Sequence, residues 1–529
     1  MYKKYLTVFF ALTSLSTREV SKKKNSISFH LGMKATTLDP GRIIYIQEHT
    51  IASLIYDRLV KVDDEGNVCP AAADSWEVKG DKVIFHIKKS AKWSDGKKIT
   101  AHHFALAIKR VLNPATGAYN MTLVEGLGFA KNAKGEPHIE ALSDDVLEMK
   151  FNRKLEGSIL TISSILSVCA CSPIREDMLD SKGDFIEVKK NLLSSGPWMI
   201  ESMESPQNIK LVKNPHYHDS SRIKIDNINI YIISNPHTSF KMYENNELDI
   251  YLNTNLAKEH LKHFQDKGEL IRCKDGYFNY LKFNCNHEIL SNVNVRKAIS
   301  LAIDRRVLAD IILLKTAVPA LGIVPPGYKG SKGDFREEAG DLFKNNDVEE
   351  AKRLLAIGKK ELGIDKIELS VDIISNVILQ KISQFVAQEL KNKLDIDVKI
   401  EIITPAQTYE RMKTGARVLS FYRWEADYAV NPLSFVNYLK STHSGKASEW
   451  KNEKFDQLID KAEGSSNFQK LSTLLKEAER IVCDQKDGEF PICPLSFTNR
   501  SFAVKRHLKN VRIYPGSYRL DLVDAYLED

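Results

Sequence analysis

The sequence predicts an α/β protein built from more than one domain, and three observations carry that reading. At 529 residues the chain exceeds what one hydrophobic core supports. Residues 348–424 alternate helical and extended periodicity, as a partly parallel sheet with crossover helices requires. Residues 70–112 hold a hairpin followed by a helix of their own.

In chain order, residues 27–33 alternate as a strand that Leu38, Asp39 and Pro40 stop at a turn. Ile51, Leu54, Ile55, Arg58 and Leu59 recur at helical spacing before a loop at 63–67. A hairpin turns at Gly80 and Asp81, with Val83, Phe85 and Ile87 alternating in its second arm. Asp95 and Gly96 make a tight turn in which Gly takes positive φ. Thr100 caps a helix over 101–112, which ends ahead of Pro114. Strands follow at 228–232 and 277–284, then a helix over 295–309 broken near Asp304. Pro325, Pro326 and Gly327 open an exposed loop. Beyond it come a helix at 348–355, a strand at 367–373, a helix at 377–394, a strand at 398–403 and a helix around Tyr409. Helices at 455–462 and 468–483 and an extended run at 491–504 complete the pattern.

Composition excludes several function classes. The net charge of +7, or +5 without Lys3 and Lys4, is spread along helices with no basic block to hold nucleic acid. Lys3 and Lys4 precede an apolar run at 5–15, too short to span a bilayer, with Ser14 and Ser16 suiting a leader cleaved after Ser16. No Cys follows that run before Cys69, so a leader cysteine for lipid attachment is lacking and no stable membrane insertion is expected. The seven cysteines match no zinc spacing. Cys483 and Cys493 flank a polar loop, which suits either a local disulfide or two buried thiols. His216 and His218 read as a surface turn, and His102 and His103 point to different helix faces; no metal or other cofactor is expected. G-x-S-x-G, H-E-x-x-H and G-x-x-x-x-G-K-[ST] are all absent, so no enzyme signature is present.

The most informative stretch is 418–438. An apolar strand beginning at Val418 reaches Phe421, Tyr422, Arg423, Trp424, Glu425, Ala426, Asp427 and Tyr428. At period two, Phe421, Arg423, Glu425 and Asp427 share one side, and Tyr422, Trp424 and Tyr428 the other. Charges hedged by large aromatics at a strand end suit a ligand with both charge and apolar surface; locally paired surface ions are the plain alternative.

Four pieces in order carry a resemblance: Leu38-Asp39-Pro40; Pro70-x-x-Ala73-x-Ser75-Trp76; the hairpin; and Lys92-Trp93-Ser94-Asp95-Gly96-x-x-x-Thr100-Ala101-x-x-Phe104. The order resembles the solute-binding proteins of peptide ABC transporters, the oligopeptide- and dipeptide-binding proteins of solute-binding family 5. Ser195-Gly196-Pro197-Trp198, Asn214-Pro215-x-Tyr217, Glu247-Leu248-Asp249 (with Asn246 where the family has Gly) and Val295-Arg296 through Ile303-Asp304-Arg305 extend it. Trp424-x-Ala426-Asp427-Tyr428 matches the family's Trp-x-Ala-Asp-Tyr motif.

The resemblance implies a type II periplasmic-binding-protein-like fold, two lobes with an additional domain and a ligand cleft between lobes. The implied division is a leader at 1–16, a first domain from 27–62, 190–282 and 500–529, a second at 63–189 and a third at 283–499. It implies a periplasmic monomer that captures short peptides for an ABC permease; a metal chelate, a glycan or a cell-wall peptide is the same-fold alternative. Asp427 would accept the peptide's α-ammonium, Trp424 would line a side-chain pocket, and Tyr280 would line the cleft or serve as a core aromatic. Phe421 stands where some members place an arginine for the peptide carboxylate, Arg423 is the nearest cation, and Glu425 replaces a disulfide cysteine of some members. The Glu425 and Asp427 pair is expected to favour ligands with a second amine.

Overall fold

A computed structural model describes residues 25–63, 67–155, 160–186, 192–205, 207–252, 258–374, 376–404, 407, 410–411, 414–424, 426, 431–442, 449–465, 467–514 and 519–528. The leader segment, Tyr409, Glu425, Asp427 and Tyr428 lie outside these residues.

An eleven-stranded sheet runs through the molecule. Its strands are β1 (Ser26–Leu31), β2 (Trp198–Ser205), β3 (Asn208–Lys213), β4 (Asn227–Ile232), β5 (Ile250–Tyr251), β6 (Leu270–Phe283), β7 (Ala317–Pro319), β8 (Ile367–Ile374), β9 (Ile396–Ile403), β10 (Leu419–Trp424) and β11 (Ile492–Val504). The spatial order is β9-β8-β10-β6-β11-β5-β1-β4-β3-β2, with β7 also on β11. The long strands β6 and β11 belong to both halves. The start of β6 pairs β11 beside β5, its end pairs β11 beside β10, and the register breaks between Arg272 and Gly276 where it crosses.

Two large cores lie on either side of that crossing. The first gathers Phe29, Ile51, Tyr56, Phe104, Trp198 and Ile230; it also contains Phe85 and Leu147 from a separate four-stranded antiparallel sheet (Ala73–Lys79, Lys82–Ile87, Val146–Lys150, Ile139–Ser143). The second gathers Tyr280, Phe283, Ile299, Val386, Phe435 and Phe497. At about 25 cal/mol per Å² of apolar surface removed from water, two such clusters rather than one are what a chain of this size builds.

The motif residues have structural work. Asp39 is buried and takes a two-pronged pair from Arg110, Nη1 to Oδ1 and Nη2 to Oδ2 both 2.7 Å, while Gly41 N–H donates to it at 3.0 Å. Removing one member of such a buried pair costs on the order of 3–5 kcal/mol. Gly196 lets the Ser195-Gly196-Pro197 turn press on Ile55, whose carbonyl accepts from both Ser195 and Gly196 N–H; a Cβ on Gly196 would lie 2.7 Å from backbone atoms of Ile55 and Tyr56. Gly96 has φ +85°, as its turn requires.

Several sequence expectations are corrected. The first helix is Ile46–Ile55, and Arg58 and Leu59 lie beyond it, buried in the link to a short strand at Val60–Val62. The loop after Pro325 is exposed only in part: Lys332 and Gly333 are exposed, but Tyr328 is buried, and Glu338 accepts from the N–H groups of Ser331, Lys332 and Gly333. Of the two states left open for Cys483 and Cys493, the structure has the second: both are free, buried thiols, and Cys493 Sγ accepts from Arg305 Nη2 at 3.4 Å. His218 is no surface residue: its Nε2 sits 2.7 Å from Asp57 Oδ2, both side chains 2% exposed. His103 Nδ1 accepts from Thr100 N–H at 2.9 Å, closing the start of the helix Ala101–Val111.

Candidate functional site

Strand sense brings two sets of carboxyl ends together. β1 runs parallel to β4 and β5, β5 is antiparallel to β11, β11 to β6, and β6 to β10, while β10 is parallel to β8 and β8 to β9. β1 and β10 therefore run in opposite senses and their carboxyl ends approach the same stretch of β6 and β11 from either side. Ligands of open α/β sheets sit beyond such ends.

On the β10 side, Trp424 ends the strand opposite Phe278, and Tyr422 lies directly opposite Tyr280. Alternation puts Tyr422 and Trp424 on one face with Phe278 and Tyr280. Tyr280 stacks on Tyr422 at 5.8 Å and on Phe278 at 5.0 Å; Trp424 stacks on Tyr438 at 3.7 Å and donates Nε1–H to Ser434 O at 3.0 Å. This fixes the indole and leaves it half-buried at the strand end. Tyr280 is 1% exposed, and burial, with the Tyr438 and Tyr422 hydroxyls beside it, pushes its phenol well above the ordinary range.

Phe421 and Arg423 occupy the other face. Arg423 is exposed, and its guanidinium lies 3.9 Å above the Tyr277 ring. The structure thus groups Tyr280 with Trp424 and sets Phe421 and Arg423 apart from them. Ala426 is buried; Glu425 and Asp427, its neighbours in sequence, lie outside the described residues.

A set of charged side chains that sequence reasoning missed continues the Tyr280 face. Arg411 Nη1 donates to Asp372 Oδ1 at 2.6 Å and Glu401 Oε2 at 2.8 Å. Arg417 Nη1 donates to Tyr422 Oη at 2.9 Å, and its Nε stands 3.6 Å from Asp372 Oδ2. Lys282 Nζ donates to Glu449 Oε1 at 2.9 Å. Burial pushes the Asp372 carboxyl up, against the pull of Arg411 and Arg417. One signal was present: Asp372 interrupts an otherwise apolar second half of its strand, Val371-Asp372-Ile373-Ile374.

The β1 side presents Met33, Ile44 and Tyr45, each between 44% and 48% exposed. Glu48 builds this loop, accepting from the N–H groups of Thr36, Ile44 and Tyr45. Burial pushes its carboxyl up, but the hydrogen bonds from Ile44, Thr36 and Tyr45 outweigh that and hold it below the usual range.

Residues 67–446 match the family described as bacterial extracellular solute-binding proteins, family 5. The chain belongs to this family. Among relatives, the dipeptide-binding protein DppE of Bacillus subtilis is 28% identical over 475 residues, covering 88% of this chain and 85% of the relative. The oligopeptide-binding protein OppA of the same organism is 26% identical, covering 96% and 94%. Among solved structures, the Escherichia coli murein tripeptide binding protein MppA aligns at TM-score 0.75 and 21% identity, covering 96% of this chain and 99% of that one. Listeria monocytogenes OppA bound to peptide aligns at 0.73 and 22%, with the same coverage. These structures share the two-lobed solute-binding fold with the chain. No helix among the described residues is long and apolar enough to cross a membrane.

Proposed function

We propose that this family member captures short peptides in the periplasm and delivers them to an ABC import permease, without catalysing a reaction. The observation that carries the reading is the aromatic face of Tyr280, Tyr422 and Trp424 where β10 meets the crossing strands, with the half-exposed Met33, Ile44 and Tyr45 following β1. A peptide laid between the two carboxyl-end rims offers main-chain groups to both lobes and its side chains to pockets. Asp427 receives its α-ammonium, because a carboxylate enclosed in a cleft is costly until a cation meets it. Trp424 walls a side-chain pocket and Tyr280 backs it. The matched relatives named for dipeptides and oligopeptides support the same ligand class. Residues 1–16 are the export leader in this reading.

Native mass spectrometry of the protein purified without refolding tests it. Adducts with the masses of short peptides, lost on partial unfolding and regained with added peptide, are expected. Adducts of another chemical class, with no response to a peptide mixture, would contradict the reading.

A further inference from the structure

Tyr422 is flanked by two cations. The Arg417 guanidinium lies 5.4 Å and the Lys282 ammonium 5.9 Å from its ring centroid. Both stand on the face that carries Tyr280 and Trp424, whereas Arg423 lies over Tyr277 on the other face. The cations around this ring differ in how far they are satisfied. Arg411 is held by two carboxylates at hydrogen-bond distance. Arg417 has five N–H donors and makes one side-chain hydrogen bond among the described residues, to Tyr422 Oη. Among the described residues its Nε is buried without a hydrogen-bond acceptor, and Asp372 Oδ2, 3.6 Å away, likewise has no hydrogen-bond partner. Lys282 donates to one oxygen of Glu449 and has two further N–H donors. A guanidinium that is 13% exposed and short of acceptors is costly as it stands. An incoming anion relieves that cost.

We propose that Arg417, with Lys282, receives a carboxylate of the bound ligand over the Tyr422 ring, and so sets this protein's preference for peptides that carry one there. The inference rests on the peptide-binding reading and assigns its anionic end. Two sources of the carboxylate are chemically equivalent at the site: the peptide's own carboxyl terminus and an acidic side chain. Arginine suits the first role well, because its planar fork matches a carboxylate with two parallel N–H donors.

Calorimetric titration with trialanine and trialanine amide separates the terminal carboxylate, and Ala-Glu-Ala amide against Ala-Gln-Ala amide separates the side chain. Wild type is expected to favour the acid of one pair by about tenfold or more. Arg417→Gln is expected to bring that pair within about twofold, Arg417→Lys to retain part of the preference, and Lys282→Gln to reduce it. The acid-to-amide ratio is internal to each variant, so a general loss of affinity does not mimic the effect. The inference is overturned by a ratio that Arg417→Gln and Lys282→Gln leave at the wild-type value, or by one that collapses in Arg423→Gln instead. Binding of none of the four peptides to wild type overturns the peptide reading itself, and the inference with it.

Discussion

His30 shows how a single side chain near the cleft ties stability to pH. It sits at the carboxyl end of β1, 3% exposed, 4.9 Å from the Tyr251 ring, with neither ring nitrogen hydrogen-bonded among the described residues. Burial pushes its imidazole from 6.5 down to about 4. The unfolded chain takes up this proton near pH 6.5 and the folded chain only near 4, so the unfolded state binds more protons between those values. Stability therefore falls as pH drops through that window and is unaffected by His30 above it. Thermal melts of wild type and His30→Phe at pH 7 and pH 4.5 check this: the wild type should lose more of its melting temperature than the variant, and equal losses would contradict it. Candidate site residues differ in how visible they are. Trp424 stands out among charges and aromatics at a strand end, whereas Tyr280, one tyrosine within a strand, is singled out only by the resemblance. Arg417, Lys282 and Asp372 are not legible, because they meet only when β6, β8 and β10 lie side by side, and no local pattern encodes that pairing.

Elements with strong local signals were read closely. The helices Val377–Leu394 and Phe468–Cys483 match their expected spans, each started by an asparagine, Asn376 or Asn467, whose side chain accepts from first-turn N–H groups. β6 was read too short. Lys274, Asp275 and Gly276 look like a turn, yet they lie within the strand, at an irregularity where residues 273–275 stand against one residue of β11 and pairing resumes at Gly276. The short helix Pro236–Glu244 ends in a turn with Asn246 at φ +61°, the position where relatives of the sequence pattern carry Gly. Asn tolerates that left-handed backbone and Gly meets it without a Cβ clash. Asn246→Gly should therefore change stability by less than about 0.5 kcal/mol, while Asn246→Ala should cost about 1 kcal/mol. Urea midpoints measure both, and an alanine variant as stable as wild type would contradict the assignment.

At the scale of the whole molecule, two cores are joined through β6 and β11, the strands on which both carboxyl-end rims converge. That arrangement suits closure of one lobe on the other around a ligand, and the proposed role of Asp427, a carboxylate that rewards a cationic ligand end, is the part of the proposal that closure would amplify. The most direct test is calorimetry of wild type and Asp427→Asn with trialanine and N-acetyl-trialanine. Wild type should bind the free-amino peptide more tightly by at least about thirtyfold, and Asp427→Asn should erase most of that difference. Equal affinities of wild type for the two peptides, or a preference that survives in Asp427→Asn, would contradict the account.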